Sequence, residues 1–474
     1  MVVDVALYTV VHQPRRLKLP AQPIPRCASV EDITRCLFDE RLNEQYFRRV
    51  VQSCYYPAAR MFLELVRHQN LRLAIGFSLS FVRQAALWEP ALLDLFRELV
   101  AEEHVELVGV EPYHSLHCLI DLPAFVLRMR WMADELEKVF GKRPTVTDTT
   151  EMCMSNSIYD ALDMAGFRGA FLDSDPRVMQ WRSSNYLYRS KDEAFCVAGA
   201  KLPARGRRGG ARGSERDRQG PPYLAETEYE NGPYLLARHP QLSADIGVRF
   251  SNSTWASYPL YADAYAYWIA QTGGDFALLS WDFETFGEHH NASSGIFDFM
   301  RALPGELTRH GITSHTPGEL IDRYAEGQTY HLPLPIHPTT WTSSTDPEVY
   351  FDCEPQNTLF RLMHDVYNLA RLTENPELLD LAIWLTQSDN LRLLQWPGPH
   401  FGPFAVPHEW WSLGAAGLFR EQKQVYLNAL AAFAPYLPAR IARQARRKAV
   451  ARSPRRQNMQ LSQDQAIGTL ARHI

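Results

Sequence analysis

The chain has 474 residues, 46% hydrophobic and 22% charged, a balance that supports a large packed core and excludes wholesale disorder. Its formal charge of −5 is a sum of unlike parts: residues 201–218 carry +5 and 440–456 carry +8, which leaves −18 for the rest. An acidic body argues against a nucleic-acid-binding groove, so no nucleic-acid partner is expected.

The first segment, MVVDVALYTVVHQP, has no basic start, and Asp4 interrupts its apolar run, so it does not read as a signal peptide, and Val3–Val11 reads as a buried strand. Further strand candidates follow at 72–77, 105–110, 145–149, 169–172, 276–282 and 311–314. Helical stretches lie between them. Leu93, Leu95, Phe96, Leu99 and Val100 share one face, as do Ile158, Leu162 and Ala165, which sit between a cap at Ser155 or Asn156 and the stop at Gly166. Alternating strands and helices predict an α/β fold with a parallel sheet, and seven units point to an incomplete TIM-like (β/α)7 barrel over residues 1–325. A further strand could hide between Asn185 and Phe250, where the pattern is illegible. The Gly- and Arg-rich stretch at about 198–220 reads as a disordered basic insertion.

Beyond residue 325 the strands stop. Stretches 357–373, 378–385 and 423–433 have helical period, so a mainly helical region is expected over 326–435, with a basic helical or disordered tail at 436–474. No apolar run of about 18 residues exists, so no membrane span is expected. The seven cysteines are scattered without a C-x-x-C, which fits reduced thiols in the cytoplasm and gives no metal clip.

In a parallel barrel, reactive residues project from the C-terminal ends of the strands. His12, His114, Glu151, Asp173 and His315 follow strand candidates, Asp282 ends one, and Glu284 lies two beyond Asp282. Two carboxylates across a cleft are the apparatus of glycoside hydrolysis: one attacks, and the other holds a proton for the leaving oxygen. Asp282, between Trp281 and Phe283 and near Glu284, has neighbours that could raise its pKa. Trp255, Tyr258 and Trp281 are candidate platforms for sugar faces.

The order HQP (12–14), VGVEPYHSL (108–116), TTEM (149–152) and SWDFETFGEHH (280–290) resembles glycoside hydrolase family 57, most of all its intracellular α-amylase-like members. The stretches 249–270 and 293–307 extend the resemblance, and TQSDN at 386–390 carries it thinly into the helical region. The resemblance implies a retaining hydrolase of α-1,4-glucans that acts without a cofactor or metal. Its substrate would be an α-glucan polysaccharide or a maltooligosaccharide. It makes Glu151 the nucleophile and Asp282 the general acid/base, with His12, His114, Trp255, Glu284, His289 and Asp389 as substrate-binding residues. Two departures touch the substrate contacts. Val110-Glu111-Pro112 stands where the family has Glu-Thr-Tyr, and Asn390-Leu391 stands where it has His-Phe.

Three other readings stay open on the sequence. A 4-α-glucanotransferase or a branching or debranching enzyme would share the covalent intermediate. A glucan-binding protein with little turnover would keep the barrel. A metal-dependent polysaccharide deacetylase could use His114 and His117 as ligands, although position 12 then lacks the expected Asp pair.

Overall fold

The computed structural model describes residues 2–190, 232–327, 329–340, 350–351, 353–395 and 406–441. Among them are ten strands: β1 (Asp4–Val11), β2 (Leu73–Phe77), β3 (Val105–Val110), β4 (Val146–Asp148) and β5 (Gly169–Leu172), then β6 (Leu187–Ser190), β7 (Tyr234–Ala237), β8 (Phe276–Asp282), β9 (Thr313–Ser314) and β10 (Tyr330–Leu332).

β1 is buried along almost its whole length, the condition of a strand covered on both faces. It pairs in parallel with β2 on one side and with β8 on the other. The parallel order continues from β2 through β3, β4 and β5 to β7. The circuit closes beyond β7, where Arg238 bridges in parallel to Leu278 and the His239 N–H donates to the Leu278 carbonyl at 2.8 Å. Seven parallel staves thus form the expected (β/α)7 barrel.

One stave differs from expectation. The stretch 311–314 yields only β9, whose two residues pair with Asp4 and Val5 at the foot of β1. The seventh stave is β7, within the illegible stretch, with β6 antiparallel beside it and β10 parallel to β6. As a result His315 lies at the foot of the barrel, away from the strand C-terminal ends. Its Nε2 is 3.2 Å from Asp4 Oδ1, and Arg323 and Tyr324 hold Asp4 Oδ2 at 2.8 and 2.6 Å.

The helices form where apolar spacing and caps agree. Helix Asn156–Ala165 starts at Ser155, whose Oγ accepts from Ile158 N, and stops at Gly166 with φ +92°. Helix Pro90–Ala101 buries Leu93, Phe96, Leu99 and Val100, while Leu95 is only partly buried. After the barrel come helices Glu354–Leu372, Pro376–Trp384, Ser388–Arg392 and Gly414–Phe433. The last is longer than expected and packs along Glu354–Leu372. The insertion at 198–220 and the tail beyond residue 441 lie outside the described residues. Among the described residues no helix is long and apolar enough to cross a membrane.

Candidate active site

A cavity of about 580 Å³ opens where the staves end, between the barrel rim and helix Ser388–Arg392. His12, His114, Glu151, Asp282, Glu284, His289 and Asp389 all line it. The barrel brings these residues together because parallel strands end on one side.

Glu151 follows β4 in a short turn, Thr150–Met152, and takes left-handed backbone angles (φ 57°, ψ 31°), as does Met152 after it (φ 50°). Such angles are uncommon away from glycine and gather at functional sites. Ser388 Oγ donates to Glu151 Oε1 at 2.9 Å, and His114 Nδ1 lies 3.6 Å from the same oxygen. His114 is left-handed too (φ 56°), and its Nδ1 is 3.0 Å from Ser388 Oγ. Burial works against a proton on His114, but the charges of Glu151 and Asp389 outweigh it and raise the imidazole pKa.

Glu111 builds the turn that carries His114. It is fully buried, and its Oε2 accepts from Tyr113 N at 2.9 Å and Ser115 N at 2.6 Å. Here the departure from the family pattern serves the loop backbone, and Glu111 is not among the cavity-lining residues. Arg128 Nε stands 3.5 Å from Glu111 Oε1. The turn also docks on the helical region: Tyr113 stacks on Trp384 at 3.8 Å, and Ser115 bridges to Gln387. We expect Glu111→Gln to lower the unfolding free energy by about 1–3 kcal/mol in urea titration, because an amide cannot accept both N–H groups with a charged oxygen.

Asp282 ends β8. Burial, and then the charge of Glu151, raise its pKa, which favours a protonated acid. Glu284 accepts from Tyr55 Oη at 2.6 Å, and Gln13 Nε2 donates to that phenol oxygen at 2.9 Å. Burial pushes the Glu284 carboxyl up to about 8, against the Tyr55 hydroxyl and with the help of Asp282. His289 is held down to about 3 by burial and by His290 and Arg392.

His12 Nε2 lies 3.2 Å from Asp389 Oδ2, and its Nδ1 is 2.8 Å from Ser78 Oγ. Burial raises the pKa of Asp389, yet His12, His114 and Arg16 overcome it and hold the carboxyl down to about 2. Donor atoms of His12, His114 and Asp389 fall within 4.8 Å of one another, close enough for a metal ion. The two imidazoles are stacked at 4.4 Å and 24°, however, so their in-plane lone pairs run side by side, whereas ligation needs them to converge. The trio fits a hydrogen-bonding wall better than a metal cage.

Trp255 sits elsewhere. It packs edge-on against Trp268 at 6.2 Å and is not among the cavity-lining residues, because the turn after Asn252 carries it onto helix Ala262–Gln271. Tyr258 is exposed, and Trp281 lines the cavity with its Nε1 bonded to the Ser243 carbonyl. Sequence reasoning missed Ser388 and Arg392. Their signal is helical: Arg392 lies three residues on from Asp389, so a single turn of helix Ser388–Arg392 presents both to the cavity, while Ser388, not among the lining residues, bonds Glu151 and His114.

The profile of glycosyl hydrolase family 57 matches residues 6–205 and 215–333, two thirds of the chain. The chain belongs to glycosyl hydrolase family 57. It is accordingly a glycoside hydrolase by family. A protein of Methanocaldococcus jannaschii named "Putative alpha-amylase" is 29% identical over 396 residues, covering 80% of this chain and 74% of its own. Among solved structures, a 4-alpha-glucanotransferase of Thermococcus litoralis has a TM-score of 0.60 at 14% identity, covering 91% of this chain. The present chain spans 60% of the length of that enzyme. A branching enzyme of Pyrococcus horikoshii has a TM-score of 0.56 at 13% identity over 100% of this chain and 94% of that one. The alpha-amylase AmyC of Thermotoga maritima has a TM-score of 0.52 at 11% identity, with 94% and 96% covered. At these identities the structural likeness is one of fold.

Family 57 membership goes against the deacetylase reading, and so does the position of His117. That imidazole is buried against Tyr367 at 4.9 Å, away from the cavity lining that holds His114.

Proposed function

We propose that this family 57 member is a retaining α-glucan hydrolase of the α-amylase type, cleaving α-1,4 linkages of starch, glycogen or maltooligosaccharides. One observation carries the reading: two carboxyl groups, Glu151 and Asp282, face one cavity in unlike surroundings. Glu151 has a hydroxyl donor at 2.9 Å and an imidazole of raised pKa beside it, the setting of an anionic nucleophile. Asp282 has burial and a like charge, the setting of a carboxylic acid that keeps its proton.

In this mechanism Asp282 gives its proton to the glycosidic oxygen while Glu151 attacks the anomeric carbon. The leaving chain departs with that proton, and a glycosyl ester forms on Glu151. Asp282, now a base, takes a proton from water, which attacks the same carbon and frees Glu151. Two inversions give net retention. His12, His114 and Asp389 would bind hydroxyl groups of the central sugar, and Glu284 and His289 would shape the cleft beside Asp282. In this division of labour the barrel of residues 1–325 carries both carboxyl groups, and the helical region of 326–435 supplies Ser388, Asp389 and Arg392. We place the enzyme in the cytoplasm, which the six free thiols among the described residues support.

Product analysis on maltoheptaose tests the proposal. Only shorter α-configured oligosaccharides should appear. Chains longer than the substrate would replace hydrolysis by transfer, and new α-1,6 branches would replace it by branching. Unchanged maltoheptaose would overturn the glucan-hydrolase reading.

A further inference from the structure

The mechanism above leaves one buried carboxyl in the cavity wall unused. Asp148 is the last residue of β4, three before Glu151, and it is 5% exposed. Tyr8 on β1 donates its hydroxyl to Asp148 Oδ2 at 2.8 Å. The phenol is itself fixed: Tyr8 is fully buried, and its ring lies 4.4 Å from Phe171. Gly76 leaves the space it needs, since a Cβ there would stand 3.1 Å from Tyr8 Oη and 2.5 Å from Val110 Cγ2. The other oxygen, Oδ1, is buried without a hydrogen-bond partner, and Asp148 lines the cavity that holds Glu151 and Asp282.

A buried polar oxygen left unsatisfied is costly, and native structures rarely tolerate one without a use. Here one oxygen of the carboxyl is clamped, so the orientation of the other is set before any ligand arrives. That is the arrangement of a preorganised contact to a bound polyol, whose hydroxyl groups donate or accept as required.

We propose that Asp148 is a specificity-determining substrate contact, in which Oδ1 exchanges a hydrogen bond with one hydroxyl of the sugar whose glycosidic bond is cleaved while Tyr8 holds Oδ2. The inference rests on the glucan-hydrolase reading. It adds a further carboxyl to the central subsite beside Glu151, Asp282 and Asp389, one that neither attacks nor transfers the catalytic proton.

The test uses the full-length enzyme, aryl α-maltosides that each lack one hydroxyl on the cleaved sugar, and the parent aryl α-maltoside. Asp148→Ala should lower kcat/KM on the parent about 30- to 100-fold, the worth of one hydrogen bond to a charged group. For one deoxy substrate the wild type should already be slow, and Asp148→Ala should slow it less than about 3-fold further. Asp148→Asn keeps the Tyr8 contact and the volume, so it serves if the alanine variant fails to fold; its amide can still donate to the hydroxyl, so it should lose less on the parent than Asp148→Ala, with that loss absent on the same single deoxy substrate. Equal losses on every deoxy substrate, or a parent kcat/KM within about 3-fold of wild type, overturn the assignment while leaving the hydrolase reading intact. Failure of the wild type to cleave any aryl α-maltoside or maltoheptaose, together with failure of Glu151→Gln to bind maltoheptaose in calorimetry, overturns both.

Discussion

Glu151→Gln is expected to lower turnover by about 10⁴ or more on maltooligosaccharides and on activated aryl glycosides alike, because no covalent intermediate can form without the nucleophile. Asp282→Asn should behave differently. On maltooligosaccharides it should lose about 10²–10⁴, the usual worth of a positioned acid/base. On an aryl glycoside with a good leaving group the first step needs no proton, so the glycosyl ester should form and accumulate as a burst. Azide, a nucleophile that needs no base, should then release it as the glycosyl azide. The pH profiles should follow. Asp282 must be protonated and Glu151 ionised to act, so wild-type kcat/KM on maltooligosaccharides should be bell-shaped; burial with the Glu151 charge raises the Asp282 pKa, and the basic limb falls as pH rises through it. Asp282→Asn should lack that basic limb on the activated substrate. Equal losses for both variants on the activated substrate, with no azide rescue, would reverse or void the assignment of roles. Steady-state and burst kinetics on both substrate types decide it.

Gly287→Ala is expected to cost about 3 kcal/mol or more of stability and to take activity with it. Gly287 lies in the loop after β8 with φ +113°, a conformation that side chains rarely adopt. A Cβ there would fall 2.0 Å from the Ser53 carbonyl oxygen and 3.0 Å from Cys54 Cα, both main-chain atoms that cannot swing away. Relief requires the loop or the turn Val51–Tyr55 to shift. The same turn holds the loop elsewhere, since Ser53 Oγ donates to Glu288 and Cys54 Sγ to the Phe283 carbonyl. It also carries Tyr55, the partner of Glu284. Urea titration should show the lower stability, and the remaining folded enzyme should show reduced kcat/KM. A variant as stable as wild type would mean that the loop is freer than its contacts imply.

Much of the barrel was legible in the chain because fully buried parallel strands read as continuous apolar runs. The strands at 105–110, 169–172 and 276–282 emerge with the bounds read from sequence. β7, Tyr234–Ala237, is no shorter than β5, but no long helical stretch marks it off: a Gly- and Arg-rich stretch lies upstream and only the five-residue helix Pro240–Ala244 follows, so the strand–helix alternation is lost there. The stretch 311–314 misled in the opposite sense. Its residues suit a strand, but only Thr313 and Ser314 find a partner, and they find it at the foot of β1. Strand pairing is decided by neighbours, not by local preference.

The site divides along the same line. By itself the sequence determined the family, the alternation that makes a parallel barrel, and the candidate carboxyl groups Glu151 and Asp282, because barrel geometry converts a strand end into a position on one rim. The tertiary structure alone decided what surrounds them. His12 meets Asp389 across 377 residues, Ser388 reaches Glu151 across 237, and Tyr8 reaches Asp148 across 140. It also decided that Trp255 turns onto Trp268, that Glu111 serves the His114 loop, and that Asp148, a residue of the cavity wall, keeps one buried oxygen unpaired. Hydrogen bonds and charge interactions act over a few ångströms of space, and distance along the chain carries no record of them.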